Sequence, residues 1–128
     1  MCSSDLLVDP ETAWPIAIVD ESWSYVQRTV GSIAMAARKL ANADASTLAI
    51  VGAGRLARTA AEYYARLFNL KEIRVASRTA SKREQVVAEM AARLGLPVRS
   101  AGSIEEAVRG ADLVLTRSEE HTSELQSH

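Results

Sequence analysis

The chain has 128 residues, 48% of them hydrophobic and 24% charged, with a formal net charge of −1 at neutral pH. That length holds one domain or part of a larger one, in a composition ordinary for a globular protein. A charge so near zero gives no reason to expect nucleic acid or an anionic membrane surface as a partner, and one cysteine, Cys2, excludes an internal disulfide. No apolar run approaches the ~18–20 residues that span a bilayer. The N-terminus lacks the basic and apolar regions of a signal peptide. A reducing, cytoplasmic setting is therefore expected.

Residues 5–20 read as a β-hairpin. Leu6-Leu7-Val8 and Ile16-Ala17-Ile18-Val19 form its arms, Asp9-Pro10-Glu11-Thr12 carries turn chemistry, and Pro15 favours the start of an arm. Both arms are apolar on both faces, so the hairpin needs a sheet completed by further chain or by another subunit. A helix is expected over about residues 21–41, capped by Asp20 or Ser22. Val26, Val30, Ile33, Ala37 and Leu40 form its apolar stripe. Gly31 inside it costs about 1 kcal/mol against alanine and marks a close helix contact. The polar linker Asn42-Ala-Asp-Ala-Ser46 sets a unit boundary.

From Thr47 onward strand and helix alternate, which predicts a parallel sheet. The first strand spans about 47–51 and its helix about 54–68, with Leu56, Ala60, Tyr63, Tyr64 and Leu67 turned inward. The second strand covers about 72–77. Its helix opens on a capping box, Ser81-Lys-Arg-Glu84, and stops at Leu94-Gly95. A third strand covers about 97–101, Ser103-Ile-Glu-Glu106 caps a short helix ending at Gly110, and a fourth strand begins at Asp112-Leu-Val-Leu115. The fold class is α/β: a partial Rossmann, doubly wound parallel sheet preceded by a hairpin and a long helix.

The chemistry lies at the first strand–helix junction, Gly52-x-Gly54-x-x-Ala57. Gly52 permits the tight turn, Gly54 lets backbone N–H groups approach a pyrophosphate, and small Ala57 lets helix and strand pack closely. The phosphates would sit at the helix N-terminus, where unpaired N–H groups and the dipole favour negative charge. The candidate cofactor residues are Gly52, Ala53, Gly54, Arg55, Leu56 and Ala57. An NAD site usually offers a carboxylate about 20 positions further on, bonded to the ribose. Here that position is Ser77, followed by Arg78 and Thr79. These donate to a 2′-phosphate, and Arg78 can also stack on the adenine. The expected cofactor is thus NADP(H), with NAD(H) the alternative.

The last twelve residues, Arg117-Ser-Glu-Glu-His-Thr-Ser-Glu-Leu-Gln-Ser-His128, break the pattern where a buried strand should finish. They resemble the in-frame translation of a common sequencing adapter and are expected to carry no function. Without them, residues 1–116 hold 14 basic and 13 acidic groups. Both histidines, His121 and His128, lie in this tail, so neither a histidine base nor a metal site is expected.

Leu6-Leu-Val-Asp-Pro-Glu-Thr-x-x-Pro-Ile-Ala-Ile-Val-Asp20, Arg28-Thr29, the glycine motif, Ser77-Arg-Thr79 and Glu105-Glu-Ala-Val-Arg-Gly-Ala-Asp112-Leu-Val resemble the ornithine cyclodeaminase/mu-crystallin family. The resemblance implies a two-part, dimeric subunit. Residues 1–45 would belong to a substrate and dimerisation domain, and residues 46–116 to the N-terminal half of a Rossmann domain. It also implies an NAD(P)-dependent enzyme passing a hydride to or from a small amino acid or its imine. Ketimine reduction, amino-acid dehydrogenation and cyclodeamination are the reactions of that kind.

The resemblance gives the substrate carboxylate to Arg28, which lies about 200° round the helix from Val26 and can form a bidentate pair. The family's catalytic lysine and aspartate have no counterpart here, so no catalytic residue is assigned and these 128 residues alone are not expected to turn over substrate. A binding protein of the crystallin type without turnover is the second reading. Another Rossmann enzyme such as a shikimate dehydrogenase is the third, and the Asp-Pro hairpin and Arg28-Thr29 count against it.

Overall fold

The computed structural model describes residues 4–116; the tail from Arg117 onward lies outside the described residues. β1 (Ser4–Val8) and β2 (Pro15–Asp20) form the expected antiparallel hairpin, with Leu6 opposite Ile18. Asp9 closes the turn, its Oδ1 accepting the N–H groups of Glu11 and Thr12 at 2.9 and 2.8 Å. The arms expose apolar side chains on both faces, Ile18 at 79%, so the pair has no core of its own.

The first helix, α1 (Ser24–Leu40), starts later than its apolar pattern predicts. Its N-cap position is Trp23, and no side chain caps it. Asp20 instead accepts the Ser22 N–H at 2.7 Å, which makes a turn ahead of the helix rather than a cap. The stripe also differs. Val26, Val30 and Ala34 are buried, whereas Ile33 is 37% and Leu40 85% exposed. The helix rolls so that its 26/30/34 row faces the core with Ala37 packed partly against it, while the side chains at 33 and 40 are exposed. Gly31 does sit at a helix contact. A Cβ there would lie 3.8 Å from the Tyr63 ring, and the Tyr63 hydroxyl donates to Gln27 at 3.0 Å.

The rest alternates as expected: β3 (Thr47–Val51), α2 (Arg55–Leu67), β4 (Glu72–Ala76), α3 (Ala80–Leu94), β5 (Val98–Ser100), α4 (Ile104–Val108) and β6 (Leu113–Thr116). The four strands are parallel, in the order β5-β4-β3-β6. Chain direction across the sheet therefore reverses between β3 and β6. In open α/β sheets the crevice outside the carboxyl ends of two such strands is where ligands bind.

Two caps decide helix ends. Gly95 terminates α3 with φ 64°, its N–H donating to Ala91. Ser103 caps α4 by accepting the Glu106 N–H at 3.0 Å, as its sequence predicts. The capping box expected at Ser81 does not form. The α3 N-cap is Thr79, two residues earlier, without a side-chain hydrogen bond.

The sheet's two faces are unequal. Leu48 and Ile50 of β3, with Ile73 and Val75 of β4, pack under α1, α2 and α3 and are essentially fully buried. Each contributes roughly 1.5–3 kcal/mol through removal of apolar surface from water. The opposite face is a thin layer of Ala49, Ala76, Ala101 and Ala107 beneath the five-residue α4. Among the described residues, no helix is long and apolar enough to cross a membrane.

Candidate dinucleotide site

The glycine loop leaves β3 at Val51. Gly52 has φ 125°, a backbone conformation that side-chain-bearing residues rarely adopt, and its N–H donates to the Ala76 carbonyl at 2.8 Å. The loop is thereby pinned to the end of β4. Gly54 is different: φ −91° and ψ −173° are open to any residue. What Gly54 supplies is the missing side chain in front of α2. That helix has no side-chain cap and no acidic residue in its first turn. Its leading N–H groups and dipole are therefore offered to an anion. Ala57 is 6% exposed within the core, where a larger side chain would push helix and strand apart.

From this loop an open cleft of about 660 Å³ runs across the carboxyl ends of β3, β4 and β5. It brings together Gly52, Ala53 and Gly54 with Ser77, Arg78 and Thr79, which are far apart in sequence. Lys82, Gly102, Ser103 and Ile104 also line it and were not singled out by the motif. The signal in the sequence for Lys82 was a cation one helical turn beyond the Ser77-Arg78-Thr79 loop. Nothing local marks residues 102–104, which only sheet order brings opposite.

The remaining motif residues do not line the cleft. The Arg55 guanidinium donates to the Ser22 carbonyl, tying the head of α2 to the turn before α1. Leu56 and Ala57 line a second, smaller cavity of about 260 Å³ behind the loop. Tyr25, Thr29 and Ile33 of α1 and Leu115 of β6 enclose it, and Gly52 and Gly54 border both spaces.

Arg28 lies off the buried row of α1, as its 200° offset predicts, with a 64% exposed side chain. It does not line either space; its neighbour Thr29 does. Its Nη2 donates to Oε1 of Glu21, whose side chain is 11% exposed, and its guanidinium carbon lies 5.5 Å from the centre of the Tyr25 ring. Glu21 was not anticipated from the sequence. It precedes the helix by three residues, and only the turn at Asp20 and Ser22 folds it back under Arg28.

A parallel sheet with this strand order, a glycine turn at its switch point and an uncapped helix behind the turn defines half of a Rossmann dinucleotide-binding fold. The particular lineage follows from comparison with known proteins. The chain belongs to the ornithine cyclodeaminase/mu-crystallin family, whose model matches residues 3–124.

Among its relatives, ketimine reductase mu-crystallin of Mus musculus is 32% identical over 114 residues, covering 89% of this chain and 35% of that protein. The Thermococcus litoralis Δ1-pyrroline-2-carboxylate reductase, solved in complex with NADH and L-proline, superimposes with a TM-score of 0.79 at 27% identity. It covers 87% of this chain and 34% of its own. A probable ornithine cyclodeaminase from Bordetella pertussis gives 0.78 at 28% identity, covering 88% and 35%. The chain thus spans about a third of the length of the relatives it matches. Family membership sets aside the shikimate dehydrogenase reading.

Proposed function

We propose that residues 1–116 carry the adenosine-binding half and the substrate-carboxylate arginine of an NAD(P)-dependent enzyme. Its substrate is a small amino acid or the corresponding imine. The observation that carries this is the cleft joining Gly52, Ala53 and Gly54 to Ser77, Arg78 and Thr79 at the switch point of a family-typed sheet. The chain's own groups fit a pyrophosphate: a glycine with positive φ, a second glycine leaving the helix end clear, and an uncapped helix. A nicotinamide bound there supplies or accepts the hydride. Relatives named for ketimine reduction and for pyrroline-2-carboxylate reduction support the substrate class.

The cofactor reading is NADP(H) over NAD(H), supported by Ser77, Arg78 and Thr79 where an NAD site would place a carboxylate. Arg28 takes the substrate carboxylate. Its present partner is Glu21, and a substrate carboxylate would meet it on an exposed guanidinium. The apolar hairpin and the exposed side of α1, with Met35 at 62% and Leu40 at 85%, support burial against further chain or a second subunit of a dimer. Residues 1–45 are assigned to that substrate and dimerisation unit.

The deciding experiment assays the complete gene product with cyclic imine carboxylates and with both reduced cofactors. Turnover with NADPH favoured is expected. Tight NADPH binding without turnover on any imine or amino acid would replace this reading with the crystallin-type binding protein.

A further inference from the structure

Among the described residues Glu21 is the one buried charged residue, 8% exposed, whereas the side chain of Arg28, to which it is paired, is 64% exposed. A carboxylate withdrawn from water is destabilising unless hydrogen bonds and an opposite charge meet it. The turn that carries it is fixed on both sides. Asp20 Oδ1 accepts the Ser22 N–H at 2.7 Å, the Glu21 carbonyl accepts the Tyr25 N–H at 2.8 Å, and Arg55 of α2 donates to the Ser22 carbonyl. Glu21 is therefore the rigid member of the pair, and the long side chain of Arg28 is the adjustable one. Two contacts restrict that side chain: Nη2 donates to Glu21 Oε1, and the guanidinium carbon lies 5.5 Å from the centre of the Tyr25 ring.

Nη2 carries two N–H groups. Whichever of them meets Glu21, a two-donor edge of the guanidinium remains for a second carboxylate. A bidentate grip needs those donors in a fixed plane, and a flexible arginine loses rotamer freedom in providing it. A buried carboxylate that already holds one nitrogen supplies that order before substrate arrives. We propose that Glu21 is a positioning residue: it turns and holds Arg28 so that the remaining edge is set for the substrate carboxylate. The proposal rests on the assignment of that carboxylate to Arg28 above. Charge alone predicts the opposite consequence. A second carboxylate beside Arg28 offsets part of its attraction for an anionic substrate, so loss of a mere counter-charge would lower KM, whereas loss of a positioning group raises it.

The test uses the complete gene product, NADPH and the cyclic imine carboxylate turned over in the assay above. Glu21→Met fills a similar space without a carboxylate. It should raise KM roughly tenfold with kcat nearly unchanged, the pattern of lost binding rather than lost chemistry. NADPH affinity, titrated by fluorescence, should not move, which separates the effect from a damaged fold. Glu21→Gln keeps an acceptor oxygen in the same place and should restore most of the lost KM. In an Arg28→Ala background Glu21→Met should add little, because the two residues act through one contact. If Glu21→Met does not fold, Glu21→Asp decides: its carboxylate is withdrawn by one methylene and should raise KM in the same direction. A KM raised by Arg28→Ala but unchanged or lowered by the deciding Glu21 variant would overturn the role of Glu21 and leave that of Arg28 standing. An unchanged KM in Arg28→Ala, or no turnover of any such substrate, would overturn both.

Discussion

Asp112 and Thr47, 65 residues apart, clasp each other at the amino ends of adjacent parallel strands. The Thr47 N–H donates to Asp112 Oδ2 at 2.9 Å, and the Asp112 N–H donates to the Thr47 carbonyl at 3.0 Å. The same Oδ2 accepts from the Ser46 N–H at 2.9 Å. The clasp sets the register of β3 against β6, so that Val51 lies beside Thr116 at the far, carboxyl end where the cleft opens. One carboxylate at the bottom of the sheet thereby aligns the two strands that border the site at the top.

Asp112→Asn should lower the thermal midpoint at neutral pH, because an amide offers a weaker acceptor to two backbone donors. The Ser46 N–H first, and then that of Thr47, hold the Asp112 carboxyl below its usual range. A group with a depressed folded pKa stabilises above its unfolded value, and the effect is lost as pH falls through the folded one. The gap between parent and Asp112→Asn, open at pH 7, should therefore close below about pH 4. Thermal melts across that range will measure it; a gap independent of pH would contradict the clasp.

Gly54→Asp separates folding from binding. Its backbone angles suit any residue, and aspartate is a better N-cap than glycine by a few tenths of a kcal/mol. The variant should melt at or slightly above the parent's temperature. Its carboxylate, however, stands where the phosphates would sit, so affinity for 5′-ADP should fall by at least about tenfold, the effect of some 1.4 kcal/mol. A variant that melts early, or binds normally, would dissociate Gly54 from the anion site.

Gly31→Ala should stabilise the fold by up to about 1 kcal/mol, the cost of glycine inside a helix. A methyl group there would meet Tyr63 Cε1 at 3.8 Å, ordinary contact rather than a clash. Chemical denaturation of the two proteins tests it. A lowered midpoint would mean that α1 and α2 approach more closely than the structure shows.

For Arg28, the complete gene product is needed. Arg28→Lys should cut kcat/KM for the amino-acid or imine substrate by on the order of tenfold, through loss of bidentate geometry, with cofactor affinity nearly intact. Unchanged kinetics would leave Arg28 as the exposed partner of Glu21 alone.

Removal of residues 117–128 should change neither the melting temperature nor nucleotide affinity, and resequencing the locus should give a different continuation after Thr116. The same twelve codons in independent genomic clones would end the adapter explanation.

Local pattern was enough for much of this molecule. The run Thr47 to Val51, the glycines that follow it, Gly95 at the end of α3 and the Ser103 cap each depend on a few adjacent residues. Their positions agree with the structure to within a residue or two. The periodicity of α1 announced a helix but not its rotation, because Ile33 and Val30 are equally apolar and only packing against α2 and the sheet chose the 26/30/34 row. The start of α3 was misread at Ser81 because capping is a competition between neighbouring polar residues, settled by where β4 ends.

The site divides the same way. The glycine turn between β3 and α2 is a contiguous motif, and its place and backbone geometry were legible. Its opposite wall at 102–104, the position of Lys82 in the cleft and the pairing of Glu21 with Arg28 depend on residues brought together by strand order and helix placement. Those contacts are long-range or turn-dependent, and no local periodicity encodes them, so only the tertiary structure decided them.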